Sequence, residues 1–302
     1  MPKDQIIDNS DLHFINKANI LIEALPYIQR LWGKTIVIKY GGNAMKNDDL
    51  TRKILEDVTL LKYVGINPIL VHGGGPDINA MLARVGVESH FHNGLRITDD
   101  ATMEIVQMVL AGKLNKNIAA DICSLGGKAI GLCGKDANLL LVEKKPPLPD
   151  GVDLGHVGNI VSVNTKLLNS LCADEYIPVI SSVGVDKQGQ SYNINADTAA
   201  AAIATALKAE KLIYLTDIDG VRANADDPSS LFPILTVEHA QELIADGTIS
   251  SGMIPKVTAC IDAIEKGVRR VHILNGTIPH PIILEIFTDR GIGTMFEKAK
   301  KA

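Results

Sequence analysis

Lys39 closes an apolar run, Thr35-Ile36-Val37-Ile38, and Gly41-Gly42-Asn43-Ala44 follows at once. A cation beside backbone that an anion can approach closely is chemistry suited to phosphate, because successive unshielded N–H groups make a concave donor surface. A second apolar run, 67–71, ends in His72-Gly73-Gly74-Gly75-Pro76 just before a segment of helical period. The first N–H groups of such a helix have no partner of their own and would point into the crevice. Either glycine run alone could be a plain strand-to-helix turn. Two of them after parallel strands strengthen the phosphate reading. Familiar nucleotide fingerprints are absent: Ile78 stands where GxGxxG requires its last glycine, and no P-loop consensus occurs. A dinucleotide oxidoreductase and a P-loop enzyme are both disfavoured.

These positions need a sheet to bring them together, and the chain alternates short β-rich apolar runs with helical periods. Strands are predicted at 35–39, 67–71, 129–132, 177–180, 211–215 and 270–274. Helices are predicted at 48–64, 77–85, 99–110, 115–125, 197–208, 237–246 and 255–266. That alternation is the pattern of an α/β fold with a mainly parallel sheet. Residues 144–151, with Pro146, Pro147 and Pro149, read as a loop or hairpin connection. The polar turn 186–190 reads as a junction between two lobes, 33–189 and 190–302.

Composition limits the partners. The chain has 302 residues, 46% of them hydrophobic, enough for a core with a cleft. Its formal net charge of -5 supplies no field for a polyanion, so nucleic acid is not expected. Cys123, Cys133, Cys172 and Cys260 are far apart with no CxxC pair, as free thiols of a reducing compartment would be. Asp4, Asp8 and Asp11 interrupt any leader peptide, and no apolar run has membrane length. A cytoplasmic location away from membranes is expected.

Further along stand Asn93-Gly94-Leu95-Arg96, Gly155-His156-Val157-Gly158, Asn193-Ile194-Asn195-Ala196-Asp197, Thr216-Asp217-Ile218-Asp219-Gly220 and Gly252-Met253-Ile254-Pro255-Lys256. Together with the two glycine runs, this ordered series over residues 33–294 resembles the amino acid kinase family, in particular its branch that acts on N-acetyl-L-glutamate. The resemblance implies a three-layer αβα sandwich around a mainly parallel sheet, with the acyl substrate in the N-terminal lobe and ATP in the C-terminal one. It implies ATP-dependent phosphorylation of the side-chain carboxylate of N-acetyl-L-glutamate, with Mg2+ carried by ATP rather than fixed by the protein. Lys39 and Lys256 would then be the catalytic cations and Asp197 the carboxylate that orients both. Gly41, Gly42 and Gly74 would offer N–H groups to the phosphoryl oxygens, and Asp217 and Gly252 would face the nucleotide. Gly74, Gly75, Arg96 and Asn193 would hold the acceptor, Arg96 clamping its α-carboxylate with a planar fork. A carboxylate nucleophile, with a reference pKa of about 4.3, is already ionised at neutral pH and needs no general base.

Blander readings stand beside these. Asp197 also suits an N-cap, Asp217 an ordinary acidic turn, Arg96 a surface ion pair and each lysine a solvated charge. Alternatives in function are another carboxylate kinase, glutamate 5-kinase-like, or a non-catalytic arginine-sensing domain.

Residues 1–32 read as a helical extension: Phe14, Ala18, Leu21, Ile22, Leu25, Ile28 and Trp32 recur at helical spacing, and Pro26 should bend the helix or end its first segment. Similarity to arginine-inhibited family members implies a homo-oligomer in which this helix interlaces dimers into a hexamer, a trimer of dimers. It also implies an L-arginine effector site involving Glu285, Gly291, Tyr27 and His272.

Overall fold

The computed structural model describes residues 9–45, 47–224, 226–249, 252–289 and 291–299. Helix α1 (Asn9–Leu31) leads into β1 (Thr35–Tyr40), and α2 (Asp48–Tyr63) joins that strand to β2 (Asn67–His72). Next come α3 (Gly75–Arg84), the short β3 (Phe91–His92) and β4 (Leu95–Arg96), and α4 (Asp100–Gln107). A π-helical segment, Met108–Leu114, carries α4 without a break into α5 (Asn115–Ser124). Strands β5 (Ala129–Cys133), β6 (Leu140–Lys144) and β7 (Gly158–Val163) precede α6 (Thr165–Ala173). Then β8 (Ile177–Ser181), β9 (Val183–Val185) and β10 (Ser191–Asn193) precede α7 (Ala196–Ala206). The chain continues through β11 (Lys211–Thr216), β12 (Ile234–Thr236), α8 (Val237–Ala245), α9 (Ile254–Glu265), β13 (Arg270–Asn275), α10 (Pro281–Ile286) and β14 (Thr294–Glu297).

All the strands and helices expected from periodicity are present. Side-chain caps set several helix starts: Asn47, Asp99, Asn164 and Thr236 each accept a backbone N–H from the first turn of α2, α4, α6 and α8. The main sheet has the order β12-β14-β13-β11-β1-β2-β8-β5. Its neighbours run parallel except β13 and β14, so the expected three-layer α/β fold is the observed one. A second sheet, β10-β9-β6-β7, shares its apolar side with α6 and α7.

The period of two divides each strand between two cores. Ile36, Ile38 and Tyr40 of β1 pack with α2, α5 and α10, whereas Val37 faces the core built by α6, α7, α8 and α9. Leu212 and Tyr214 of β11 share the second core, and Ile213 and Leu215 the first. Lys39 has the parity of Val37 and is therefore turned towards α7.

One expectation is modified. Helix α1 continues through Pro26 to Leu31, so the proline does not end it. Among its described side chains Leu31 is buried, while Phe14, Leu21 and Ile22 stand 66%, 73% and 66% exposed. Residues 1–8 of the extension lie outside the described residues. The turn 186–190 is the tip of the β9–β10 hairpin, since Val185 pairs with Ser191 and Val183 with Asn193. The segment 144–151 connects the antiparallel pair β6 and β7. No described helix is long and apolar enough to cross a membrane.

Asp57 of α2 is fully buried and ties that helix to α10. Its carboxylate accepts from His280 Nδ1 at 2.6 Å, from Ile282 N at 3.1 Å and from Ile283 N at 3.4 Å. Burial pushes the carboxyl up to about 6, against the opposing pull of His280 and the two backbone donors. The unfolded carboxyl titrates near ~3.9, so the native state binds the proton more tightly, and this group's contribution is full below about pH 4 and is lost as pH rises through about 6. At about 1.4 kcal/mol per pH unit that gap corresponds to roughly 3 kcal/mol. Wild type should therefore lose about that much stability relative to Asp57→Asn between pH 4 and pH 7, measured by urea unfolding. A difference that does not shrink with pH would show that Asp57 stays ionised throughout.

Candidate active site

Lys39 and the first turn of α7 meet at the carboxyl end of β1. Lys39 Nζ lies 3.0 Å from Asp197 Oδ1, with the side chains 16% and 34% exposed. Oδ1 is buried and takes no directed hydrogen bond among the described residues, so the attraction is that of two charges. Asn195, not Asp197, caps α7: its Oδ1 accepts from Asp197 N at 2.9 Å and Thr198 N at 3.1 Å. That leaves the Asp197 carboxylate to the lysine. The glycine runs close around the pair. A Cβ on Gly41 would sit 3.4 Å from Lys39 Cε and Nζ, and one on Gly73 would sit 3.3 Å from Ala196 Cβ. Strand β1 lies between β11 and β2, from which the sheet grows in opposite directions, and crevices beyond the carboxyl ends of strands at such a reversal are where open α/β sheets take ligands.

Lys256 stands in the first turn of α9, one turn before Cys260 on the same face. The buried thiol of Cys260 is pushed far up, first by burial and then by Asp197, with Lys256 opposing, which places both charges near it. Among the described residues no ion pair joins Lys256 to Asp197.

On the β11 side of Lys39 lies a cavity of about 470 Å³, with Asp217, Asp219, Gly220, Asn224, Met253 and Asn275 among its walls. Asn275 Nδ2 donates to Asp219 Oδ1 at 2.7 Å, and Arg222 pairs with the other oxygen of Asp219. Asp217 is exposed at the rim, and Gly252 adjoins Met253 without lining the cavity. Sequence reasoning gave no role to Asp219 or Asn275. The available signal was their register, because Thr216 and Asn275 end adjacent parallel strands side by side.

On the β2 side, Arg96 is 6% exposed. Its guanidinium lies 4.6 Å from the Phe91 ring centroid and donates to Ser89 Oγ and to Gly75 O, the latter at 3.3 Å. Burial lowers its pKa, and no carboxylate pairs with it among the described residues. A buried cation without a counter-ion is a standing cost that a bound anion would relieve. Asn193 Nδ2 donates to Thr98 Oγ1 at 3.3 Å, and Thr98 Oγ1 donates to Arg96 O at 3.0 Å. Gly75, Arg96 and Asn193 thus form one cluster. Gly74 closes it: a Cβ there would lie 2.3 Å from Leu114 Cδ1 and 2.8 Å from Leu110 Cδ2, so any side chain would force these leucines of the π segment to move. His156 borders the cluster through Asn193 N, which donates to its carbonyl at 2.9 Å.

A third cluster lies on the other face of β11 and β13. Lys211 Nζ donates to His272 Nε2 at 2.8 Å, and His272 Nδ1 donates to Glu285 Oε1 at 2.7 Å. Ile292 N and Gly293 N donate to Glu285 Oε2 at 2.7 and 3.3 Å. Gly291, at φ +63, passes so close that a Cβ would lie 2.8 Å from that oxygen. Burial pushes Lys211 down to about 8 and His272 down to about 4. For Glu285 burial acts upward, but His272, Ile292 N and Lys211 hold it below the usual carboxylate range. Tyr27 is not in this cluster; its hydroxyl donates to Asp289, four residues beyond Glu285. Lys211 was missed from the sequence, although a lysine with the parity of the buried Ile213 and Leu215 is the mark of an inward charge.

The chain belongs to the amino acid kinase family, whose model matches residues 34–275. An acetylglutamate kinase of Caldicellulosiruptor saccharolyticus is 57% identical over 93% of this chain and 96% of its own length. Among solved structures, N-acetylglutamate synthase from Neisseria gonorrhoeae, complexed with coenzyme A and N-acetyl-glutamate, superposes with a TM-score of 0.82 at 30% identity, over 94% of this chain and 64% of that one. The same synthase complexed with coenzyme A and L-arginine gives a TM-score of 0.76 at 28% identity, over 93% and 65%.

Replacing Lys39 or Lys256 by alanine should lower kcat by about 10²-fold or more, the usual cost of losing one fixed electrostatic contact to a transferring group. ADP release at saturating substrates measures it, with circular dichroism to confirm folding. Near-normal turnover in either variant would assign that lysine to the surface.

Proposed function

We propose that this chain transfers the γ-phosphoryl group of ATP to the side-chain carboxylate of N-acetyl-L-glutamate, giving N-acetyl-L-glutamyl 5-phosphate and ADP in the cytoplasmic synthesis of arginine. The observation that carries the reading is Arg96, buried with no carboxylate partner among the described residues, beside Gly75 and Asn193 and on the opposite side of Lys39 from the Asp219–Asn275 cavity. One anion site and one nucleotide-sized cavity flank a lysine held by a carboxylate. Identity of more than half the residues with acetylglutamate kinases supports the choice of acceptor.

The acceptor carboxylate is ionised at neutral pH, so the bond from its oxygen to phosphorus forms as the bond from phosphorus to the ADP oxygen breaks, with no proton to move. Positioning and charge neutralisation do the rest. Asp197 holds the Lys39 ammonium, 3.0 Å away, aimed at the phosphoryl group from the acceptor side. Lys256 neutralises the leaving side, and the N–H groups of Gly41, Gly42 and Gly74 meet the equatorial oxygens. Mg2+ carried by ATP would supply the remaining positive charge, and Asp217 at the cavity rim would be the carboxylate to face it. Residues 33–189 form the acyl half and 190–302 the nucleotide half, with Asn193 reaching back to the acceptor.

Inhibition by L-arginine belongs to the same proposal. The Lys211–His272–Glu285 cluster is a buried charged site, and Tyr27 brings α1 to its edge through Asp289. The exposed apolar face of α1 suits a second copy of the helix, which would join dimers into a hexamer. The Neisseria synthase, which shares this fold and is solved in complex with L-arginine, supports an arginine site here. An effector unlike either substrate acts through its differential affinity for two conformations, here the open and closed halves.

Arg96→Lys should raise the KM for N-acetyl-L-glutamate at least about tenfold, because an ammonium cannot reproduce the bidentate fork, while the KM for ATP stays near wild type. An unchanged acceptor KM, or equal turnover with free glutamate, would refute the assignment. Deleting residues 1–26, which spares the buried Leu31, should abolish arginine inhibition and reduce a hexamer to dimers with the chemistry retained. Activity against arginine concentration, paired with light scattering, decides it; a truncated enzyme still inhibited would end the proposal.

A further inference from the structure

His72 ends β2 fully buried, and no step of the reaction above uses it. The parity of β2 sets its direction: it shares the face of Leu70, which packs with α5, so its ring points away from Lys39. Nδ1 lies 2.9 Å from the carbonyl oxygen of Gly73, and Nε2 lies 3.1 Å from Asn115 Nδ2. These two contacts leave one tautomer. A carbonyl can only accept, so Nδ1 carries the hydrogen. The orientation of Asn115 is equally fixed, because Nδ2 also faces two carbonyls, Val179 O at 2.9 Å and Leu132 O at 3.2 Å, while Oδ1 accepts from Lys116 Nζ at 3.2 Å. An amide nitrogen can only donate, and its two hydrogens are shared among Nε2 and the two carbonyls, so Nε2 must be bare.

The consequence falls on the next peptide. In a trans peptide the carbonyl and the N–H point in opposite directions, and the described residues contain no cis bond. A Gly73 carbonyl drawn back to the His72 ring therefore turns Gly74 N–H the other way, towards the face of the sheet that carries Lys39. That N–H makes no hydrogen bond among the described residues, whereas Gly73 N is already committed to Tyr40 O at 3.3 Å. Leu110 and Leu114 press on Gly74 from behind and limit any rotation of the loop.

We propose that His72 is a positioning residue for phosphoryl transfer: its Nδ1–H holds the Gly73 carbonyl and so aims Gly74 N–H at the phosphoryl group, and Asn115 fixes the tautomer that makes this possible. The inference rests on the kinase reading for the identity of the group that Gly74 meets, while the hydrogen-bond relay itself does not.

Two substitutions separate positioning from packing. In His72→Asn the amide nitrogen falls near the place of Nδ1 and keeps the donor to Gly73 O; in His72→Gln it falls near Nε2 and loses that donor. His72→Gln should lower kcat by about 10²-fold, the scale of one lost donor to a developing charge, with the KM for ATP little changed, and His72→Asn should recover most of the loss. Equal kcat in the two variants would overturn the proposal, since a merely structural histidine makes no such distinction. Solid-state ¹⁵N spectra of the wild-type protein decide independently of whether either variant folds. The neutral Nδ1–H form of His72 at pH 7 is expected, and an Nε2–H form or an imidazolium would also overturn it. Wild-type protein inactive on N-acetyl-L-glutamate would refute the kinase reading and leave the spectrum to judge the relay.

Discussion

Two anions must be held within bonding distance, and the Lys39–Asp197 pair is the contact on which the rest of the architecture depends. A lysine at a strand end is ordinarily free to swing into water. Here strand parity turns it towards α7, and Asn195 takes over the capping of that helix, so that the Asp197 carboxylate is left to fix the ammonium. The glycine runs after β1 and β2 bring backbone into close contact with this pair, a Cβ on Gly41 meeting Lys39 at 3.4 Å and one on Gly73 meeting Ala196 Cβ at 3.3 Å. The main sheet supplies the rigid edge from which all these groups project.

The same strands serve two faces. Strand β11 begins with Lys211 in the Glu285 cluster and ends with Thr216 beside the Asp219–Asn275 cavity, and β13 carries His272 and Asn275 in the same way. Residues of opposite parity on one strand thus belong to a buried charged cluster and to the edge of the Asp219–Asn275 cavity. Any event that shifts Lys211 or His272 acts on a strand whose other end borders the Asp219–Asn275 cavity. This is spatial continuity, the physical precondition for coupling, and the coupling itself is a free energy between two states.

Most of the fold was legible because burial imposes the periods of two and 3.6 on the sequence. The six apolar runs became the strands, and the glycine motifs lie at their carboxyl ends. Less was legible where the decision is tertiary. Asn195 and Asp197 are both good caps, and only the position of Lys39 decides which one is released. Pro26 removes one donor from α1, yet the helix continues, because a helix tolerates one missing bond when the flanking turns are intact. Lys211 and His72 needed the parity of their strands to be read against neighbours that a single sequence does not name. The apolar residues of α1 were visible at helical spacing, but periodicity cannot say how much of such a face meets its own domain: here Leu31 at the C-terminal end is buried, while Phe14, Leu21 and Ile22 stand exposed.

The π segment is the feature that sequence concealed most completely, because Met108–Leu114 holds only one residue that an α-helix clearly disfavours, Gly112, tolerated at a cost of about 1 kcal/mol. Its effect is geometric. Asn115 N–H bonds to Leu110 O, five residues back, which stacks Asn115 above Leu110. In an α-helix, residues five apart are separated by roughly 140° around the axis, so the side chains of Leu110 and Asn115 could not serve neighbouring positions. With the wider turn, Leu110 and Leu114 pack against Gly74 while Asn115 reaches the His72 ring from the same side. Gly131 completes the arrangement, since a Cβ there would lie 2.3 Å from Asn115 Oδ1. One extra residue in a helix turn thus joins two controls on the same peptide, the contact that confines Gly74 and the hydrogen bond that fixes the His72 tautomer.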